Sequence, residues 1–100
     1  MLQTIITTAT IVVASKDQVS CDLAGEAAIL GLQNGVYYGL DPIGARIWSL
    51  IQTPTAVSAV RDAIVSEYDV EAERCERDLL ELLQQLAEQR LVEMTNETAR

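Results

Sequence analysis

The sequence predicts an α+β fold: a winged helix-turn-helix of three helices, preceded by an N-terminal antiparallel sheet of three to four strands. Three observations predict it. Short β-branched segments separated by turn signals occupy the chain as far as Leu40. Apolar stripes at helical spacing then run from Pro42 to Gln89. A short alternating segment, Leu91-Val92-Glu93-Met94, closes the pattern as a wing. One hundred residues, 49% hydrophobic and 22% charged, suffice for one core and leave no room for a second.

The N-terminal stretch Met1 to Ser15 holds no charge before Lys16 and reads as extended, because Thr and β-branched residues dominate it. It lacks the basic start of a signal peptide, and a run broken by Thr4, Thr7, Thr8 and Thr10 is too short and polar to span a bilayer. A strand is expected at Ile11–Ala14, with residues 1–10 as a flexible lead or an extra strand. Val19–Leu23 and Ala27–Gln33 read as the next strands. Asn34-Gly35 then reads as a two-residue type I′ loop, which needs positive φ at both positions, and Val36–Leu40 returns along it. This register pairs Leu32 with Tyr37, Gly31 with Tyr38 and Ile29 with Leu40. One face carries Leu30, Leu32 and Tyr37; the other carries Ile29, Tyr38 and Leu40. A hairpin in a two-layer domain normally keeps one wet, polar face. The apolar surplus calls for cover from the N-terminal strand or from a partner, and one of the two tyrosines is expected to fill the core.

Asp41-Pro42 supplies an N-cap acceptor followed by a proline where its missing N–H is no loss, so a helix starts there. Ile43, Ile47, Leu50 and Ile51 form its buried stripe, with Trp48 on a flank. Gly44 inside it costs roughly 1 kcal/mol against Ala, which points to a close neighbour. Thr53-Pro54-Thr55 ends this helix and is expected to cap the next, Ala56 to Tyr68, whose stripe is Val57, Val60, Ile64 and Tyr68. Asp69-Val70 is a break. The third helix, Glu71 to Gln89, carries an apolar stripe from Cys75 and Leu82 on one margin to Leu80 and Ala87 on the other. That stripe spans about 160° at 100° per residue, wider than the roughly 100° a core contact needs. Residues 95–100 read as a disordered tail.

Charge excludes one class of function. Seven Lys+Arg against fifteen Asp+Glu give −8 and a pI near 4.3. The segment Asp69–Arg90, which a winged-helix DNA reader would place in the major groove, holds only Arg74, Arg77 and Arg90 against seven acids. A phosphate backbone repels such a surface, and so does an anionic lipid face. Chemistry excludes another class. His is absent, Lys16 is the sole lysine and falls in an expected turn, and no glycine-rich phosphate loop follows a strand. The chain is therefore read as non-catalytic, without cofactor or metal. Cys21 and Cys75 read as two small buried hydrophobes in a reducing, cytoplasmic compartment. What remains is binding through backbone and apolar surface. Val36–Leu40 is an open edge that can accept an extended peptide as a further strand, with alternate side chains dropping toward the third helix.

The segment LGLQNGVYYGLDPIGARIW, Leu30 to Trp48, resembles the pattern of PqqD-like proteins, and EYDVEAERCERDLLELLQQLAEQRLVE, Glu67 to Glu93, is similar to that family's last helix and wing. The resemblance covers about Val19 to Glu93 and makes residues 11–94 the recognition domain. It implies a recognition element for ribosomally made, modified peptides, which binds a precursor's leader as a strand added to its third strand, against its third helix. By position the contacts are Val36, Tyr37, Tyr38, Gly39 and Leu40 with Arg74, Cys75, Asp78, Leu79 and Leu82, where Arg74 and Asp78 fix register by charge. Free-standing versions of this length resemble the recognition half of the split B protein of lasso-peptide pathways, whose partners are a leader peptidase and a cyclase. The peptide chaperone of pyrroloquinoline quinone biosynthesis is a sister reading, and an acidic winged-helix interaction or transcription-regulatory domain is the alternative outside the family. Asp41 stands where the family has Asn, an exchange of equivalent N-caps. Monomer and dimer both stay open. Charge alone predicts that duplex DNA migrates unretarded beside this protein in a mobility-shift gel at physiological salt.

Overall fold

The structure is a computed structural model that describes residues 6–95. β-branched and small residues form β1 (Ile11–Ala14), β2 (Gln18–Leu23), β3 (Glu26–Gly31) and β4 (Tyr37–Leu40). Helix α1 (Pro42–Leu50), the two-residue β5 (Thr55–Ala56), α2 (Val57–Glu67), α3 (Ala72–Glu88) and β6 (Val92–Thr95) follow. The strands make two antiparallel sheets, in the orders β2-β3-β4 and β5-β1-β6. The first is a pair of consecutive hairpins. The second gathers distant segments, with Ile11 of β1 facing Ala56 on one side and Thr95 on the other. The expected N-terminal sheet is thus the hairpin sheet alone, while β1 closes the wing.

One core joins both sheets to the helices. Ile29 from β3, Val12 from β1, Ile51 after α1, Val57 and Ile64 from α2, Leu79 and Leu83 from α3, and Leu91 before β6 are fully buried. Two ion pairs tie the helices together outside it. Arg46 of α1 holds both oxygens of Glu67 at the end of α2, at 2.8 Å each, and Arg61 of α2 meets Glu76 of α3 at 2.9 Å. The hydrogen bond from Arg46 holds the Glu67 carboxyl below its ordinary range. A depressed carboxylate stabilises the fold at neutral pH, and that small contribution is lost as pH falls through the folded value.

Several expectations change. The hairpin does not turn at Asn34-Gly35 as a two-residue loop. Ile29 pairs with Tyr38 and Leu30 with Tyr37, so the register is displaced by two and the loop takes residues 32–35. Of those two residues only Gly35 has positive φ. Asn34 is used differently: its side-chain oxygen accepts from Val36 N–H at 3.0 Å and its amide donates to the Gln89 carbonyl at 3.2 Å. A displacement of two leaves each side chain on its expected face. Val36 falls outside β4, although its carbonyl still accepts from Gly31 N–H at 2.8 Å. Trp48 is not on a flank but 5% exposed in the core, because Ser20 of β2 accepts its indole N–H at 3.1 Å.

Thr55 does not cap α2. Ala56 is the N-cap, without a side-chain bond, and Thr55 donates backward to the Leu50 and Thr53 carbonyls while its backbone pairs with β1. Cys21 is exposed and Cys75 buried, both as free thiols. Thr7–Thr10 form a turn, with Thr10 fully buried. The first five residues and the tail beyond Thr95 lie outside the described residues. Truncating Leu83, which is 0% exposed, to Ala is expected to cost about 2–5 kcal/mol in a denaturant titration. The same change at exposed Leu32 is expected to stay within about 0.5 kcal/mol.

Candidate functional site

At Leu40 the strand ends and a helix begins within one residue. Asp41 is extended, at φ −74° and ψ 178°, and its carboxylate accepts from Gly44 N–H at 2.8 Å. Pro42 then sits in the first turn. A Cβ on Gly44 would stand 3.2 Å from both the Asp41 carboxylate and the Leu40 side chain, so the glycine lets this corner close. Without intervening loop, α1 leaves directly beneath the end of β4.

The free edge of β4 can be read residue by residue. Gly31 N–H donates to the Val36 carbonyl, and antiparallel pairs alternate between bonded and non-bonded. Tyr38 and Leu40 therefore spend their backbone groups on β3, opposite Ile29 and Ala27. Tyr37 and Gly39 direct theirs outward. The Asp41 carbonyl is already taken by Ala45 N–H at 2.7 Å. The open edge thus consists of Tyr37 and Gly39. The β2 edge is open as well, but its inward side chains are Gln18, Ser20 and Asp22, with nothing apolar to offer an added strand.

Beside the β4 edge lies a cleft of about 500 Å³ between β4, α1 and α3. Of the expected contacts, Tyr38, Gly39, Leu40, Arg74, Cys75, Asp78, Leu79 and Leu82 all line it. Val36 and Tyr37 do not; Val36 stands just before β4, and Tyr37 faces the opposite side of the sheet at 68% exposed. Sequence reasoning missed the cleft's other wall, made by Asp41, Ile43 and Ile47 at the corner and by Ile64 and Val70 around the end of α2. The Asp41-Pro42 corner was the available signal, since it forces α1 to run under β4. On the α3 side, Leu82 is the stripe margin that faces the cleft, while Leu79 is buried below it. Tyr38 closes one end by hydrogen bonding through its hydroxyl to the Gln85 side chain.

The cleft is apolar inside and charged at its mouth. Arg74 and Asp78 stand one turn apart at 3.9 Å, with side chains 75% and 66% exposed, so neither is committed to the other. Cys75 sits lower, and burial, with Asp78 close by, pushes its thiol above the ordinary range. It therefore stays protonated and behaves as a small hydrophobe.

Residues 26–92 match the family described as Coenzyme PQQ synthesis protein D (PqqD). The chain belongs to the PqqD family. The matched part runs from the first residue of β3 to the first of β6, and so contains the open edge, the corner and the cleft. Among solved structures the chain is similar to one described as TbiB1 in complex with the TbiA(beta) leader peptide. The two are 41% identical, with a TM-score of 0.76, over 81% of this chain and 94% of that one. The likeness extends to the winged-helix arrangement of the PqqD recognition elements. No curated protein matches this chain. No helix among the described residues is long and apolar enough to cross a membrane. Brief alkylation of the native protein at neutral pH is expected to label Cys21 and spare Cys75, as read by peptide mass mapping; equal labelling of both would contradict the buried, protonated thiol.

Proposed function

We propose that this PqqD-family chain binds the leader segment of a ribosomally made precursor peptide as an extra strand on β4. The observation that carries the reading is the open backbone at Tyr37 and Gly39 standing directly against an apolar cleft, in a chain 41% identical to one solved holding a leader peptide. Main-chain hydrogen bonds to the edge supply affinity that tolerates sequence. Alternate side chains of the incoming strand enter the cleft over Leu40, Leu79 and Leu82 and supply selectivity. Arg74 and Asp78 at the mouth fix the peptide's register through its charges.

The domain performs no catalysis in this reading. It holds the leader in the cytoplasm and presents the remainder of the precursor to a leader peptidase and a cyclase, as the stand-alone recognition half of a split lasso-peptide B protein. The acidic surface suits a peptide or enzyme partner of basic character and not DNA. The family's description, Coenzyme PQQ synthesis protein D, favours a second reading in coenzyme PQQ synthesis, where the chain would act as a peptide chaperone. Neighbouring genes separate the two: a short precursor beside a transglutaminase-like peptidase and an asparagine-synthetase-like cyclase marks the lasso pathway.

Titration calorimetry with the TbiA(beta) leader peptide tests binding itself. The unaltered domain is expected to bind, and Leu82→Asp, which puts a charge into the cleft, is expected to lower affinity at least about tenfold while the domain stays folded. Binding that survives Leu82→Asp unchanged would place the peptide elsewhere.

A further inference from the structure

The hairpin sheet has a longer free edge than β4 on its opposite side. β2 bonds to β3 alone, and every residue from Val19 to Leu23 is exposed. Leu32 N–H donates to the Asp17 carbonyl at 2.9 Å, which makes that pair a bonded one. By the alternation of antiparallel pairs, Val19, Cys21 and Leu23 spend their backbone groups on β3, while Gln18, Ser20 and Asp22 direct theirs outward. Edge strands are usually guarded by proline, lysine or a bulge, and none of these stands between Gln18 and Leu23.

The sequence of this edge complements itself. When two copies of β2 run antiparallel with Cys21 on the twofold axis, Val19 of each faces Leu23 of the other on the outer face. Val19 and Leu23 are 56% and 53% exposed in the single chain, so the pairing covers side chains that the fold leaves in water. In the same register Asp22 stands opposite Ser20 of the second copy. Ser20 accepts from the Trp48 indole at 3.1 Å and keeps its own O–H to donate, so the one charge on the edge gains a donor. The neighbouring registers are worse. A shift of two residues one way sets Asp22 against Asp22, and the other way sets Leu23 against Asp17. Pairing β2 with β2 also closes, because it consumes the same edge on both copies; β2 on another copy's β4 would leave edges free and grow into a fibre.

We propose that β2 is a self-association edge, through which two copies of this chain join their hairpin sheets into one six-stranded antiparallel sheet. The inference stands without the strand-addition reading. Both β4 edges lie at the far ends of the joined sheet, so each copy keeps its cleft open. The interface is small, main-chain bonds along one strand and two apolar pairs, and the dimer is accordingly weak and concentration-dependent. Each copy carries −8, so salt that screens the repulsion strengthens the association.

The experiment is light scattering over a concentration series, joined to crosslinking of the native thiols with a short bis-maleimide. In this register the two Cys21 residues form a non-bonded pair with Cα atoms about 4.5 Å apart, and Cys75 is buried. The unaltered chain is expected to rise from the monomer mass toward twice that mass with concentration, more steeply at high salt, and to crosslink through Cys21. Asp22→Pro is expected to stay monomeric and uncrosslinked. The Asp22 N–H points outward, so proline there removes no bond to β3 yet blocks the second copy. Val19→Lys, at an exposed position, gives the same readout where the proline variant does not fold. A monomer at every concentration up to about 1 mM would overturn the proposal. So would association that survives in the folded edge variants, or a dimer that does not crosslink through Cys21.

Discussion

At residue 41 the chain must pass from an extended strand to a helix without a loop, and the cleft exists because of how that passage is made. The Asp41 carboxylate satisfies an N–H that the first turn of α1 would otherwise leave without a partner. Pro42 fixes the first helical φ, and Gly44 lets Leu40 fold down against the new helix. The strand therefore cannot run on, and its last outward-pointing residue is Gly39. Because α1 departs beneath β4, Ile43 and Ile47 become a wall of the cleft and not part of a distant surface.

What opens beside that corner is governed by where β1 goes. Had it joined the hairpin sheet, it would have covered one of the exposed edges or the apolar outer face. Instead it pairs with the wing, where Val12 is fully buried and the backbone of Ala14 and Ser15 bonds to Ile51 and Leu91. The hairpin sheet is left with helices on one face and water on the other. Its surplus of apolar side chains, anomalous for a two-layer domain, is the same surface that ends at the open edge.

The sequence made the local features readable and left the distant ones hidden. The Asp41-Pro42 cap, the α3 stripe and the wing follow from short-range patterns, and the two faces of the hairpin survived a wrong turn because the register error was even. The turn departs from its local signal because Asn34 bonds to Gln89 across the molecule, a partner that short-range pattern does not supply. The burial of Trp48 is hidden in its own helix, which does not reveal Ser20, whose hydroxyl allows the indole to be buried. Thr55 carried the signature of a cap, yet its backbone was claimed by β1 from the far end of the chain. Cys21 looked like core because strand composition does not say whether a second layer covers the strand. For the site, edge strand and third helix were legible, whereas the wall from α1 and α2 depended on the direction the corner imposes.

The central claim is that the outward backbone groups of Tyr37 and Gly39 are the ones a leader peptide engages. Amide hydrogen exchange resolved by residue tests it directly. In the free domain Tyr38 and Leu40 amides, bonded to β3, should exchange slowly and those of Tyr37 and Gly39 quickly. Saturating leader peptide should slow Tyr37 and Gly39 together and leave the β2 edge unchanged. Protection that appears at Ser20 and Asp22, or that bypasses Tyr37 and Gly39 while the peptide is bound, would contradict the account.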